Sequence, residues 1–243
     1  MRAKTVRRFL LTAGLGTILT VPLISCDGDG VGLDKNGDLL VAKKPTPLRA
    51  NKDNTLYEDP TGSLSNGAGD YFFAGQNAIG TIRRGLLAFD IAGTIPAGAT
   101  VTGATLMLQM SRTPGGTESV TLHRVTEDWG ESSSVANRGE GEGIAAATGD
   151  ATWLHTMFNT DLWSTPGGSF FPTASASQAV NAIGTYTWSG AQMVADIQSW
   201  LDNPTANFGW ILLGNESVSA SAKRFNSREN TESPPRLLIE FTF

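Results

Sequence analysis

The chain is poor in thiols, imidazoles and phenols: one cysteine, two histidines and three tyrosines among 243 residues. A single cysteine excludes an internal disulfide framework and a thiolate-rich metal centre. His123 and His155 form no pair at metal-ligand spacing and no Ser-His-Asp order that would suggest a nucleophilic triad. No apolar run reaches the ~20 residues that a membrane-crossing helix needs. Bases are also scarce. Four of the 18 Lys+Arg fall in the first eight residues and none of the 23 Asp+Glu falls before Asp27, so the remainder carries 14 bases against 23 acids, a net charge of −9. So acidic a chain has no electrostatic reason to bind nucleic acid or an anionic membrane face.

The few early bases are grouped. Arg2, Lys4, Arg7 and Arg8 precede an apolar or small stretch from Phe9 to Ile24, closed by Leu23-Ile24-Ser25-Cys26. A cationic start, a short apolar span and a small residue before the cut predict a secretory signal over residues 1–25. The closing tetrad resembles a bacterial lipobox, which makes Cys26 the lipidated first residue of an exported protein held at the cell envelope. The plainer reading is an ordinary signal followed by a chance cysteine. Arg7-Arg8-Phe9-Leu10-Leu11 resembles a twin-arginine signal, and paired arginines also occur in general export signals. Neither it nor Asp27 decides the export route or which membrane receives the anchor. Residues 26–50 read as a tether, small and flexible at Asp27-Gly28-Asp29-Gly30-Val31-Gly32 and stiff at Lys43-Lys44-Pro45-Thr46-Pro47.

Cleavage before Cys26 leaves 218 residues, which suits one large all-β domain. The expected body is 51–243, starting near Asp53. Glycine (28) and proline (11) punctuate short alternating runs. Ala104, Leu106, Leu108 and Met110 alternate with Thr105, Met107 and Gln109. Ser111–Thr117 has the composition of a hairpin turn, after which Val120 and Leu122 face inward and Thr121 and His123 outward. Gly85–Phe89 and Phe208–Leu213 are apolar at nearly every step, as in central strands covered on both faces. Leu237, Ile239, Phe241 and Phe243 share one face of a last strand. One amphipathic helix is expected from Met193, Val194, Ile197, Trp200 and Leu201, with Ser189 and Gln192 as a capping box and Asn203-Pro204 as its stop.

Between about 130 and 187 the character changes. Gly139-Glu140-Gly141-Glu142-Gly143 reads as a flexible acidic loop. Trp153, His155, Phe158, Trp163, Phe170 and Phe171 then follow among glycines and prolines. Irregular segments longer than about 15 residues are uncommon unless they carry a function.

Several ordered blocks resemble DNRLRE-type domains: Arg84–Asp90, Ile95–Leu106, Val120–Trp129, the helix, Asn207–Leu213, and Phe225–Glu229 before Pro235-Arg236-Leu237. The similarity runs from about Asp53 to Phe243, and the aromatic-rich insert departs from it. The resemblance implies a jelly-roll β-sandwich of a kind found in secreted bacterial and archaeal proteins, often joined to polysaccharide-active enzymes. Related modules bind polysaccharides, including acidic ones such as alginate.

On that basis the expected role is a lipid-anchored, non-catalytic envelope module with polysaccharide as its partner, meeting the membrane only through the anchor. The alternatives are a structural or adhesive module that meets other envelope proteins and, less favoured, a polysaccharide lyase or glycosidase. Sugar recognition would use flat aromatic faces and planar polar groups, supplied in the insert by Trp153, His155, Asn159, Asp161 and Trp163. Equally, Trp153 and Trp163 would fold inward and pin the loop. An anionic polymer would call on Arg83, Arg84, Arg112 and Arg138 as two-pronged clamps. A lyase would need Tyr71 or Tyr186 beside His155. Arg84 or Arg228 is expected to salt-bridge Glu229 for structural reasons. No cofactor is required; a structural calcium would take Asp53, Glu58 and Asp59 as its carboxylate ligands.

Overall fold

The computed structural model describes residues 45–243 throughout and, before them, the backbone of β1 (Val31–Leu33) and β2 (Leu39–Val41). These two pair antiparallel, Val31 opposite Val41, within the stretch read as a tether. The signal segment 1–25 and Cys26 lie outside the described residues. The folded body opens with β3 (Thr46–Tyr57), which begins inside the expected tether. β4 (Leu64–Ser65), β5 (Tyr71–Gln76), β6 (Ile82–Phe89), β7 (Thr100–Arg112) and β8 (Glu118–Val125) follow. The short β9 (Ile144–Ala145), β10 (His155–Met157) and β11 (Asp161–Leu162) precede β12 (Phe170–Val180) and β13 (Gly184–Ser189). A helix, α1 (Ala191–Asp202), leads to β14 (Trp210–Leu213), β15 (Lys223–Asn226) and β16 (Arg236–Thr242).

Strands dominate the described residues, with one α-helix, as expected. The ladder closes on itself: β6, β3, β16, β7, β15 and β5 pair in turn, and β5 returns to β6, giving a six-strand barrel. Outside the ring, β13 pairs with β7, and β14, β8 and β12 extend from β6. β3 makes one corner. Its Thr46–Arg49 half pairs with β16 and its Ala50–Tyr57 half with β6, with a register shift between Ala50 and Lys52. Pro47 sits in the half with a ladder on one side only, where a missing N–H is tolerated.

Two apolar cores explain the strands that are apolar throughout. Because side chains alternate, Leu87 and Phe89 of β6 enter the main core while Leu86 and Ala88 enter a second one. In β14, Trp210 and Leu212 face the main core and Ile211 the second. α1 seals the main core with Met193, Ile197, Trp200 and Leu201. Trp129, Ala151 and Trp163 cover Leu56, Leu86 and Ile211 in the second.

Several local expectations are corrected. The helix N-cap is Gly190 with no side-chain cap bond, because Ser189 is held in β13 opposite Thr105, and Gln192 turns to Asp196 instead. The 111–117 turn is not a hairpin: β7 and β8 belong to different ladders, and the loop crosses between them. Buried Lys223 holds that crossing through Thr113 Oγ1 and the carbonyls of Gly115 and Gly116. His123 faces inward to bond Phe171 O and Thr121 Oγ1. Phe243 lies beyond the last strand and is 80 % exposed. The insert ends near Ser169, since 170–187 are mostly ladder strands. The glycine-rich acidic loop is pinned rather than free. Buried Glu140 accepts bonds from Asn66 Nδ2, Asp70 N–H and Tyr71 N–H, while its own carbonyl takes the Tyr57 hydroxyl.

Candidate functional site

The insert does not assemble the expected aromatic platform. Trp163 is 5 % exposed, packs into the second core and donates its indole N–H to Thr152 O, so it is a structural plug. Trp153, ten positions earlier, is half-buried, with the Arg84 guanidinium 5.0 Å from its ring centroid. Together with Glu58, Asp59, Pro60, Gly80, Thr81 and Leu154 it lines a shallow groove of about 420 Å³. The Nδ1 of His155 is held between Thr152 Oγ1 and Gly62 O, and its ring meets Phe158 edge-on. Asn159 is exposed at φ 67° in the tight turn joining β10 to β11, a left-handed position that asparagine tolerates. Asp161 opens β11, exposed, opposite Met157. Of the five expected residues, only Trp153 lines the groove.

The expected charge assignments divide in the same way. Arg228 pairs with Glu229 at 2.8 Å and also with Glu131 at 2.7 Å. Arg84 instead pairs with Glu216 at 2.7 Å and donates to Gly167 O. Arg83 is no clamp: it is buried over the Tyr57 ring and spends its donors on Gly141 O, Thr81 Oγ1 and Ile82 O. Among the described residues no hydrogen bond joins Tyr71 or Tyr186 to His155; Tyr71 lies under Arg224, and Tyr186 bonds within the turn at Asn181 and Ala182.

The calcium set does not form as expected. Glu58 caps Ile82 N–H. Burial disfavours the Asp59 charge, but bonds from Ser63 N–H and Thr61 hold its carboxyl below the usual range. Asp53 meets Glu131 and Glu229 instead, with ligand atoms of all three within 4.8 Å. This cluster joins three parts of the chain: the Asp53 N–H donates to Glu131, and the Arg228 N–H donates to Asp53. With Arg228 as the paired cation, it reads as a structural network.

Burial first, and then the neighbouring Glu229 charge, pushes Asp53 well above the carboxylate range; burial also raises Glu131 and Glu229. The native state therefore binds protons that the unfolded chain would release. The cluster's contribution to stability is complete below the ordinary carboxylate range, about pH 4, and is lost as pH rises through the raised values. Asp53→Asn keeps an acceptor for Arg228 N–H and removes the charge. The variant should melt a few degrees above the wild type at mildly alkaline pH and converge with it as pH falls to about 4. Parallel melting curves across that range would refute this assignment.

A cationic patch is more suggestive. Arg224 of β15 lies opposite Arg112 of β7 in the ladder. A Cβ placed on Gly139 would lie 3.5 Å from Nη1 of each, which puts both guanidinium groups at one glycine. Arg224 stacks on Tyr71, 3.6 Å from the centroid, and bonds Ser111 Oγ. Burial, Tyr71 and the like charge of Arg112 act on Arg224, with a net lowering of its pKa. Among the described residues neither arginine forms an ion pair; Glu140, the nearby acid, is already engaged by three donors. Arg138 precedes Gly139, exposed, at φ 54°. Sequence reasoning singled out Arg112, Arg138 and Tyr71 but missed Arg224, whose only signal is a cross-strand position more than a hundred residues from Arg112. Two juxtaposed guanidiniums without counter-ions are suited to an anion with several carboxylates or sulfates.

Comparison with protein-family models gives no match, and comparison with curated proteins gives none.

Proposed function

We propose that the chain is an envelope-held, non-catalytic module that binds an anionic polysaccharide at the Arg112–Arg224 patch. The observation that carries this reading is the like-charged pair itself, held together by the β7–β15 ladder with a tyrosine beneath one member. Local charge outweighs net acidity here, because exposed charges farther off than about 8 Å are screened at physiological salt. The reading includes a lipid anchor at Cys26 and a jelly-roll arrangement of the DNRLRE type, both supported by sequence resemblance. The six-strand ring adds a rigid frame for the patch.

Titration against soluble polyuronates and neutral glucans tests the reading. Polyuronate binding should weaken about tenfold or more when Arg112→Gln and Arg224→Gln are combined, since charge-assisted bonds contribute about 1.5–3 kcal/mol each. It should also weaken with salt. Trp153→Ala should leave it unchanged. Failure of every polymer to bind, or binding indifferent to the double variant, would sink the proposal.

A further inference from the structure

A cavity of about 220 Å³ lies between the helix and the edge of the sheet, lined by Arg124 of β8, Phe171 and Thr173 of β12, and Gln192 and Asp196 of α1. It is smaller than the about 300–1,000 Å³ of pockets for drug-sized ligands, which points to a single small molecule. Two opposite charges face it, and among the described residues neither has an ionic partner. Asp196 is 2 % exposed, and its charge is met by neutral donors alone. Ser175 Oγ (2.5 Å) and Trp210 Nε1 (3.0 Å) donate to Oδ2, and Gln192 Nε2 (3.0 Å) to Oδ1. One lone-pair direction on Oδ1 is left over. Arg124 lies over the Phe171 ring, 4.5 Å from its centroid, and makes one long bond, 3.3 Å, to Ser199 Oγ. Most of its donors find no partner among the described residues. Phe171 itself is 44 % exposed, and the Gln192 amide directs its donor to Asp196, which frees its oxygen for a ligand.

We propose that this cavity binds a free α-amino acid as its zwitterion. Charge balance selects that class. A simple anion would satisfy Arg124 but bring a second negative charge against Asp196, while a simple cation would do the reverse. A neutral sugar would leave both charges uncompensated. A zwitterion places its carboxylate on the Arg124 fork and its ammonium against Asp196 Oδ1 and the Gln192 oxygen, with its side chain resting on Phe171. The polysaccharide reading involves different residues, so the two can fail separately.

Calorimetric titration of the full-length chain with a panel of common α-amino acids is the test. At least one should bind. Its N-acetyl derivative, which lacks the ammonium, and its methyl ester, which lacks the carboxylate, should each bind about tenfold more weakly or worse. Arg124→Gln should weaken the parent similarly. Because Asp196→Asn could unfold a buried network, exposed Gln192→Leu serves as the second variant and should also reduce affinity. The proposal is overturned if no amino acid binds, if the N-acetyl derivative or D-glucuronic acid binds as tightly as the parent, or if both variants bind normally.

Discussion

Replacing Trp210 by alanine should lower the unfolding free energy by about 3–5 kcal/mol, the usual cost of emptying a buried tryptophan site. Trp210 has no exposed surface and stands on β14, which is paired with β6 on one side and β8 on the other. Its ring meets Trp200 at 4.7 Å and Phe89 at 6.4 Å, both edge-on, so truncation removes contacts with α1 and β6 together. It also takes a donor from buried Asp196. For a domain of this size the melting temperature should fall on the order of 10 °C. Ile79→Ala, at a side chain 84 % exposed, is the control and should stay within about 0.5 kcal/mol. Equal effects from the two variants would show that the main core is not organised as described.

Glu140→Ala should destabilise by about 2–3 kcal/mol, because three donors lose their acceptor: the Asn66 amide is left buried, at about 1–3 kcal/mol, and the partly buried Asp70 and Tyr71 N–H groups add less. The donors are Asn66 Nδ2 at 2.7 Å, Tyr71 N–H at 2.9 Å and Asp70 N–H at 3.2 Å. Glu140→Gln should not rescue the protein fully, since one amide end points a donor at other donors. Limited proteolysis within 131–169, compared with thermal melting, checks both variants. An insert that stays protected in Glu140→Ala would refute its role as a pin. Asn66 shares the task from the other side, accepting the Ala136 N–H at 2.8 Å.

Wherever a neighbour along the chain decides structure, the sequence was legible. β6 and β14 are apolar at successive positions because each separates two cores, and β16 alternates because one face is wet. The stripe on α1 was equally direct. What could not be read depends on partners far along the chain. Glu140 stands in a glycine-rich acidic run that looks solvated until Asn66 and Tyr71, some 70 residues earlier, close around it. Trp153 and Trp163 are the same residue type in similar surroundings. Only the folding of the insert over Leu56 and Leu86 makes one a plug and leaves the other beside a groove. The composition of 111–117 announces a turn but not that the chain leaves one ladder for another there. The arginine patch is likewise a product of strand register.

The corner strand β3 has a mechanical consequence. Any pull arriving along the chain from before Thr46 reaches this strand first. Its early half is hydrogen-bonded to β16 and its later half to β6, so no single neighbour can let it go. Extraction must shear two ladders in succession and break the ring open. Under load the β3–β16 ladder should therefore yield before the β3–β6 ladder, giving two force peaks in that order.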